Sequence, residues 1–241
     1  MSNIPKIKIG FNKEWETRNW YDTIYSRARF GLKNGSDKWN LGEIPANLPQ
    51  LLKNISDKNK AIAFIKEKID DEITKPEITK LIEDSITRAK ERWNQIDQDF
   101  FFVLSKMLDI SISRFEPEYN AYFTLSSRAP FGKNSFMFNK YLNFGDLAMH
   151  EIMHIEFLKQ YSQFCQEKGL NDEKIDHLKE ILTVLLNEDA HNLLSKPDPG
   201  YTKHQELRPK ILEIYRKIGG KNNNFRNFLD EIIPLIKSAN F

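Results

Sequence analysis

At 241 residues and 40% hydrophobic content, the chain is long enough to bury a sizeable core. Its 36 Lys and Arg against 34 Asp and Glu leave a formal net charge of +2, too balanced to single out nucleic acid or another polyanion as a partner. No apolar run approaches the roughly 20 residues of a membrane span, and the opening MSNIPKIKIGFNKEWE has no apolar signal core, so a soluble cytoplasmic protein with no membrane partner is expected.

The N-terminal region pairs helical spacing in NWYDTIYSRARF with turn chemistry in NGSDKWNLGEIPANLP. Apolar residues then recur at three and four positions from Ser56 to about Ile73 and again from Glu77 to Leu108, which predicts two helices broken at Pro76. YNAYFTLSS and SFMFNK alternate like strands around the turn RAPFGKN, so an antiparallel hairpin is expected, in a small sheet with ISISRFEP. Asp146 reads as the N-cap of a helix from Leu147 to about Lys168, ended by Gly169. A further helix begins near Asp172 and runs until Pro197 and Pro199 stop it, and the last forty residues are helical apart from GGKNNN.

The chemistry sits in LAMHEIMHIEF. His150 and His154 are four apart, so one helix face can aim both imidazoles at a single point, and Glu151 stands beside the first as a general base would. The single cysteine, Cys165, excludes a cysteine-based cluster, so any metal must be held by histidine and carboxylate. Here the sequence resembles the zincin metallopeptidases. That resemblance implies an α+β, mainly helical fold with a zincin-like active-site helix after a small antiparallel β-hairpin or sheet. Residues 1–108 then form a helical half packed on the body and 109–241 the catalytic part, in one continuous domain.

Phe157 and Gln160 exclude the metzincin continuation HExxHxxGxxH, which leaves the gluzincin type, with a glutamate from a later helix as third ligand. Glu180 and Glu188 are both available. Glu180, Thr183 and Asn187 make one polar stripe on an otherwise apolar helix, which favours Glu180; a simple hairpin folded at Gly169 would bring Glu188 closer, so the choice stays open. The ExxxD pattern of thermolysin-like members is missing, since Val184 and Asn192 stand four residues after the two glutamates. KEILTVLLN followed by DPGYTKHQELR also looks like a group of uncharacterised bacterial proteins with a gluzincin-type HExxH, over about the last hundred residues.

The resemblance implies one Zn2+ per chain, held by His150, His154 and Glu180, with water in its fourth position and Glu151 taking that water's proton during hydrolysis of a peptide or protein substrate. Tyr201 or His204 could stabilise the oxyanion, the alternative being a loop tyrosine and a surface histidine. His177 and His191 read as surface histidines or partners of a ligand. The strand in SFMFNK or YNAYFTLSS could pair with an extended substrate. Two other functions stay open: a ferritin-like di-iron carboxylate protein using Glu151/His154 and Glu188/His191, or a non-catalytic regulatory protein on a peptidase scaffold.

Overall fold

The computed structural model describes residues 4–25, 41–222 and 224–241. The end of the helix expected in NWYDTIYSRARF and the turn at NGSDKW lie outside the described residues. The chain divides into two compact units: Ile7–Glu91 with Asn120–Leu142, and Arg92–Tyr119 with Asn143–Phe241 and the first residues of the chain. Among the described residues, no helix is long and apolar enough to cross a membrane.

Three strands, β1 (Lys6–Phe11), β2 (Glu118–Phe123) and β3 (Ser135–Phe138), form one sheet in the order β1-β2-β3. β2 and β3 run parallel, with Asn120 opposite Ser135 and Phe123 opposite Phe138, not antiparallel as the sequence predicts. The turn in RAPFGKN does make a hairpin, but with nearer partners. Phe131 bridges Phe136, the Met137 amide donates to the Pro130 carbonyl at 2.8 Å, and Gly132 donates to Ser135 at 2.6 Å. Those bonds occupy one edge of β3, and residues 124–134 bring the chain back to run alongside β2 in the same direction. β2 is central and β3 is engaged on both edges, so neither strand has the open edge that pairing with an extended substrate needs. ISISRFEP adds no strand. Ile112–Arg114 form a 3-10 turn, with the hydroxyls of Ser111 and Ser113 bonded to each other at 2.9 Å, a local arrangement that competes with pairing.

Helices α1 (Lys13–Tyr25), α2 (Leu48–Leu52) and α3 (Lys58–Ile73) belong to the same unit as most of the sheet. Asp57 caps α3, accepting from the Lys60 amide at 2.8 Å. α1 buries Glu16, whose Oε1 accepts from the Trp20 indole at 2.5 Å and the Leu125 amide at 2.8 Å.

The single helix predicted over Glu77–Leu108 is two, α4 (Pro76–Asn94) and α5 (Asp97–Met107). The Ile96 amide closes a tight turn on the Trp93 carbonyl at 2.9 Å, and the change of direction sets the Trp93 indole edge-on to Phe100 and Phe101, with centroids 5.7 and 5.9 Å away. α6 (Phe144–Glu167) is the core helix of its unit, with every residue from Glu151 to Phe157 buried. Its cap is Asn143, not Asp146: Asn143 Oδ1 accepts from the Asp146 amide at 3.2 Å. Gly169, at φ +87°, ends the α6 segment in the left-handed region. α7 (Asp172–Leu182) follows, tightens into a 3-10 turn at Thr183–Leu185 and finishes as the short α8 (Leu186–Asp189), well before Pro197. α9 (Leu207–Asn222) continues through Gly219 and Gly220, where the sequence suggested a loop, and α10 (Phe225–Ser238) packs Phe225 and Phe228 into the core.

Glu16 carries a pH dependence. Burial pushes its carboxyl from an ordinary value of 4.5 up to about 7, against the bonds it accepts. Between those two pH values the folded chain keeps a proton that the unfolded chain has lost, so stability falls as pH rises through the window. Glu16→Gln should remove this dependence in denaturant titrations at pH 5 and 8, and at pH 8 the variant should exceed the parent by up to about 3 kcal/mol.

Candidate metal centre

α6 brings His150 and His154 to one face, with ring centroids 4.2 Å apart. α7 supplies Glu180, whose Oε2 lies 3.5 Å from Nε2 of His150 and 3.5 Å from Nε2 of His154. All three donor atoms fall within 4.8 Å of one another, and this is the one such group of three among the described residues. The fit to a metal can be tested on the spacing. Donors roughly 2.0–2.1 Å from a tetrahedral ion stand about 3.3 Å apart, close to both measured edges. Hydrogen bonds of good geometry would be shorter, and Glu180 Oε2 is buried without a hydrogen-bond partner. The other oxygen, Oε1, accepts from Lys179 Nζ at 2.7 Å. Three residues from two helices thus present one donor atom each to a common point.

Glu151 is buried on the same helix, its Oε2 3.7 Å from Nδ1 of His154 and without a hydrogen-bond partner. Nδ1 of His150 lies 2.8 Å from Oδ2 of Asp198, in the segment between α8 and α9. Burial disfavours charge on His150, but Asp198 and Glu180 outweigh it and push the imidazole up to about 10. Burial and the neighbouring His150 charge lower His154. Glu180 is held well below the usual carboxylate range; burial opposes this, but the neighbouring His150 and His154 imidazoles and Lys179 prevail. Asp198, also against burial, is held down at about 2 by His150 and by the Arg208 guanidinium. The site therefore collects three carboxylates around its imidazoles, with Lys179 and Arg208 as their cationic partners.

Asp198 is the residue the sequence reading missed. In the ExxxD pattern the aspartate four residues after the glutamate orients the first histidine; here Val184 stands there, and the partner of His150 comes from a turn eighteen residues after Glu180. Two signals were present. Asp198-Pro199-Gly200 is turn chemistry that fixes a carboxylate, and the stripe Glu180, Thr183, Asn187 demanded polar company. Two of the three stripe residues, Thr183 and Asn187, meet this turn, and the third, Glu180, meets the imidazoles. Thr183 Oγ1 lies 3.2 Å from Asp198 Oδ1, and Asn187 exchanges two hydrogen bonds with the Asp198 backbone at 2.9 and 2.6 Å. Asp146, relieved of capping, instead accepts from the Ser195 amide at 2.8 Å and from the Ser195 hydroxyl, tying the same segment to the first turn of α6.

The remaining candidates separate. Glu188 is bound by the Arg216 guanidinium at 2.9 and 2.7 Å, and exposed His191 turns to the Glu188 carbonyl. The di-iron arrangement, which needs both residues facing Glu151 and His154, is not assembled. Tyr201 is 56% exposed, and its phenol is raised by burial and by the charges of Glu180, Glu151 and Asp198. His204 is not on the surface: it is fully buried, its Nε2 is 3.0 Å from Nδ1 of half-buried His177, and burial with nearby His177 and Lys203 pushes it down to about 4. Its ring is engaged with His177 rather than with the three donors.

No protein-family model, curated protein or solved structure matches the chain.

Proposed function

We propose that the chain is a cytoplasmic zinc peptidase of the gluzincin type, hydrolysing peptide bonds in a peptide or protein substrate, with His150, His154 and Glu180 as the ligands of one zinc. The observation that carries the reading is Glu180 Oε2, buried without a hydrogen bond and 3.5 Å from both imidazole nitrogens. Two imidazoles and one carboxylate suit zinc and leave a coordination position open, as in catalytic rather than structural sites. Zinc held there supplies Lewis acidity, polarising a carbonyl and drawing the pKa of water toward ~7.

The chain's own residues do the rest. Glu151 is the general base: its buried, unengaged oxygen can accept a proton from the attacking water and deliver it to the leaving amine. Asp198 accepts from Nδ1 of His150, which leaves Nε2 of that ring as the ligating nitrogen. Tyr201, with its phenol raised and half exposed beside these carboxylates, stays protonated at neutral pH and donates to the developing oxyanion. His204 is set aside for that role because it is paired with His177. Glu151 also weighs against a non-catalytic protein on the same scaffold, in which the base has no reason to persist.

Elemental analysis of the purified protein should find one zinc per chain. Glu180→Ala should abolish stoichiometric zinc while Glu188→Ala keeps it; the reverse, or two irons per chain, would overturn the ligand set. Glu151→Gln should retain the metal and lose about 10²–10⁴-fold in kcat on a quenched-fluorescence peptide library. Undiminished cleavage by that variant would remove Glu151 from the mechanism.

A further inference from the structure

Arg208, near the start of α9, is 4% exposed and lies beneath the Asp198 turn. Its Nη2 donates to the Asp198 carbonyl at 2.8 Å and to Asp198 Oδ1 at 3.0 Å. Its Nη1 donates to Thr183 Oγ1 at 2.8 Å and to the Glu180 carbonyl at 3.3 Å. One planar group thus grips both segments from which the histidines receive their partners: the turn that carries Asp198 and the helix end that carries Glu180. We propose that Arg208 is a positioning residue of this metal centre, fixing the Asp198 carboxylate against His150 and the Glu180 backbone at one separation, so that ligands from α6 and α7 meet ready to bind. The proposal rests on the metal-centre reading above.

Three features argue for a positioning role over simple charge neutralisation. Burying a guanidinium is costly, and one carboxylate shared with a histidine is modest compensation; what the planar fork adds is two donor directions at fixed angles. Lysine, whose three donors radiate from one nitrogen on a flexible stem, lacks this pair of separated donor atoms in one rigid plane. Gly200 is fitted to the same group. It adopts φ +61°, its amide donates to Asp198 Oδ1 at 2.8 Å, and a Cβ there would stand 2.5 Å from Arg208 Nη1. Asp198 Oδ1 is therefore held by the Gly200 amide and the Arg208 guanidinium, with the Thr183 hydroxyl, which donates at 2.8 Å to the Glu180 carbonyl, 3.2 Å away, while Oδ2 meets His150.

The test is the affinity of the full chain for zinc and for cobalt(II), whose visible absorption reports ligand geometry, in Arg208→Lys, Arg208→Met, Gly200→Ala and Asp198→Asn, with circular dichroism of each metal-free protein. Arg208→Lys and Arg208→Met should bind about 10–100-fold more weakly and shift the cobalt band, while the metal-free fold persists. Gly200→Ala should move the band in the same direction. The double change Arg208→Met with Asp198→Asn should cost little more than the worse single change, because both act through His150. Unaltered affinity and spectrum in the Arg208 variants would overturn the proposal, as would additive losses. Metal-free unfolding of both Arg208 variants but not of Asp198→Asn would also overturn it, assigning Arg208 to the scaffold. A parent chain that binds metal but cleaves no peptide overturns the peptidase reading and leaves Arg208 its role; one that binds neither metal overturns both.

Discussion

A helical stretch buried on every side, as Glu151 to Phe157 of α6 is, must find a partner for each polar group it carries, and with half-buried His150 just before it α6 carries His150, Glu151, His154 and Glu156 within seven residues. An uncompensated buried charge costs several kcal/mol, comparable to the net stability of a domain, so these four side chains constrain everything packed around them. Glu156 is settled by scaffold: the Tyr119 hydroxyl donates to it at 2.5 Å and the Glu116 amide at 2.9 Å. His150 is settled by Asp198, which comes from elsewhere in the sequence. Glu151, Glu156 and Glu180 keep one buried oxygen each that no hydrogen bond engages, and of the three only that of Glu180 lies 3.5 Å from both imidazoles. Polar groups left so in a dense interior are explained when something polar or charged shares their space.

Recruiting Asp198 dictates the route of the segment after α8. A loop carrying a buried carboxylate must also satisfy its own backbone, and here a side chain does the work of a strand: Asn187 accepts from the Asp198 amide and donates to its carbonyl. Asp146 anchors the same loop at Ser195, and Arg92 donates to the Leu193 carbonyl at 2.6 Å. Gly200 supplies the left-handed step that lets the backbone pass the Arg208 guanidinium. A loop pinned at Leu193, Ser195 and Asp198 can hold a histidine ring to one orientation.

How much of this the sequence disclosed depends on the range of the interaction. Helical spacing is local, so α3, α6 and α7 were legible, as was the pairing of His150 with His154 on one face. The polar stripe was legible too, because three polar residues at helical spacing on an apolar helix require a polar surface opposite, whatever that surface is. Strand direction was not: alternation in YNAYFTLSS and SFMFNK identifies extended segments but is the same for either pairing, and the turn between them closes on Pro130 and Gly132 rather than on β2. Capping by Asp146 failed for a related reason. Asn143 and Asp146 both suit a helix start, and only the approach of Ser195 assigns them different tasks. The contacts of Asp198, Arg208 and Glu156 link positions 10 to 48 residues apart and leave no periodic trace.

The two oxygens of Glu180 are not equivalent, and the difference bears on what kind of site this is. Oε1 is taken by Lys179, whose side chain is 6% exposed and runs back to its own neighbour's carboxylate. Only Oε2 faces the imidazoles. A glutamate free of such a partner can close both oxygens on a cation, raising the coordination number and filling the site with protein; one held by an ammonium group offers a single oxygen. The same ammonium withdraws charge from the carboxylate, so the ligand neutralises a bound cation less completely and leaves more of its Lewis acidity for other molecules. Neighbouring residues on a helix point about 100° apart, so this contact requires Lys179 to fold back under the site instead of extending into water, at a cost in rotamer entropy of up to about 2 kcal/mol. A purely structural site gains nothing from that expenditure, since it is strongest when every donor is used. An incompletely filled, electron-poor site is what the proposed reaction needs, and the fold of Lys179 is consistent with that proposal.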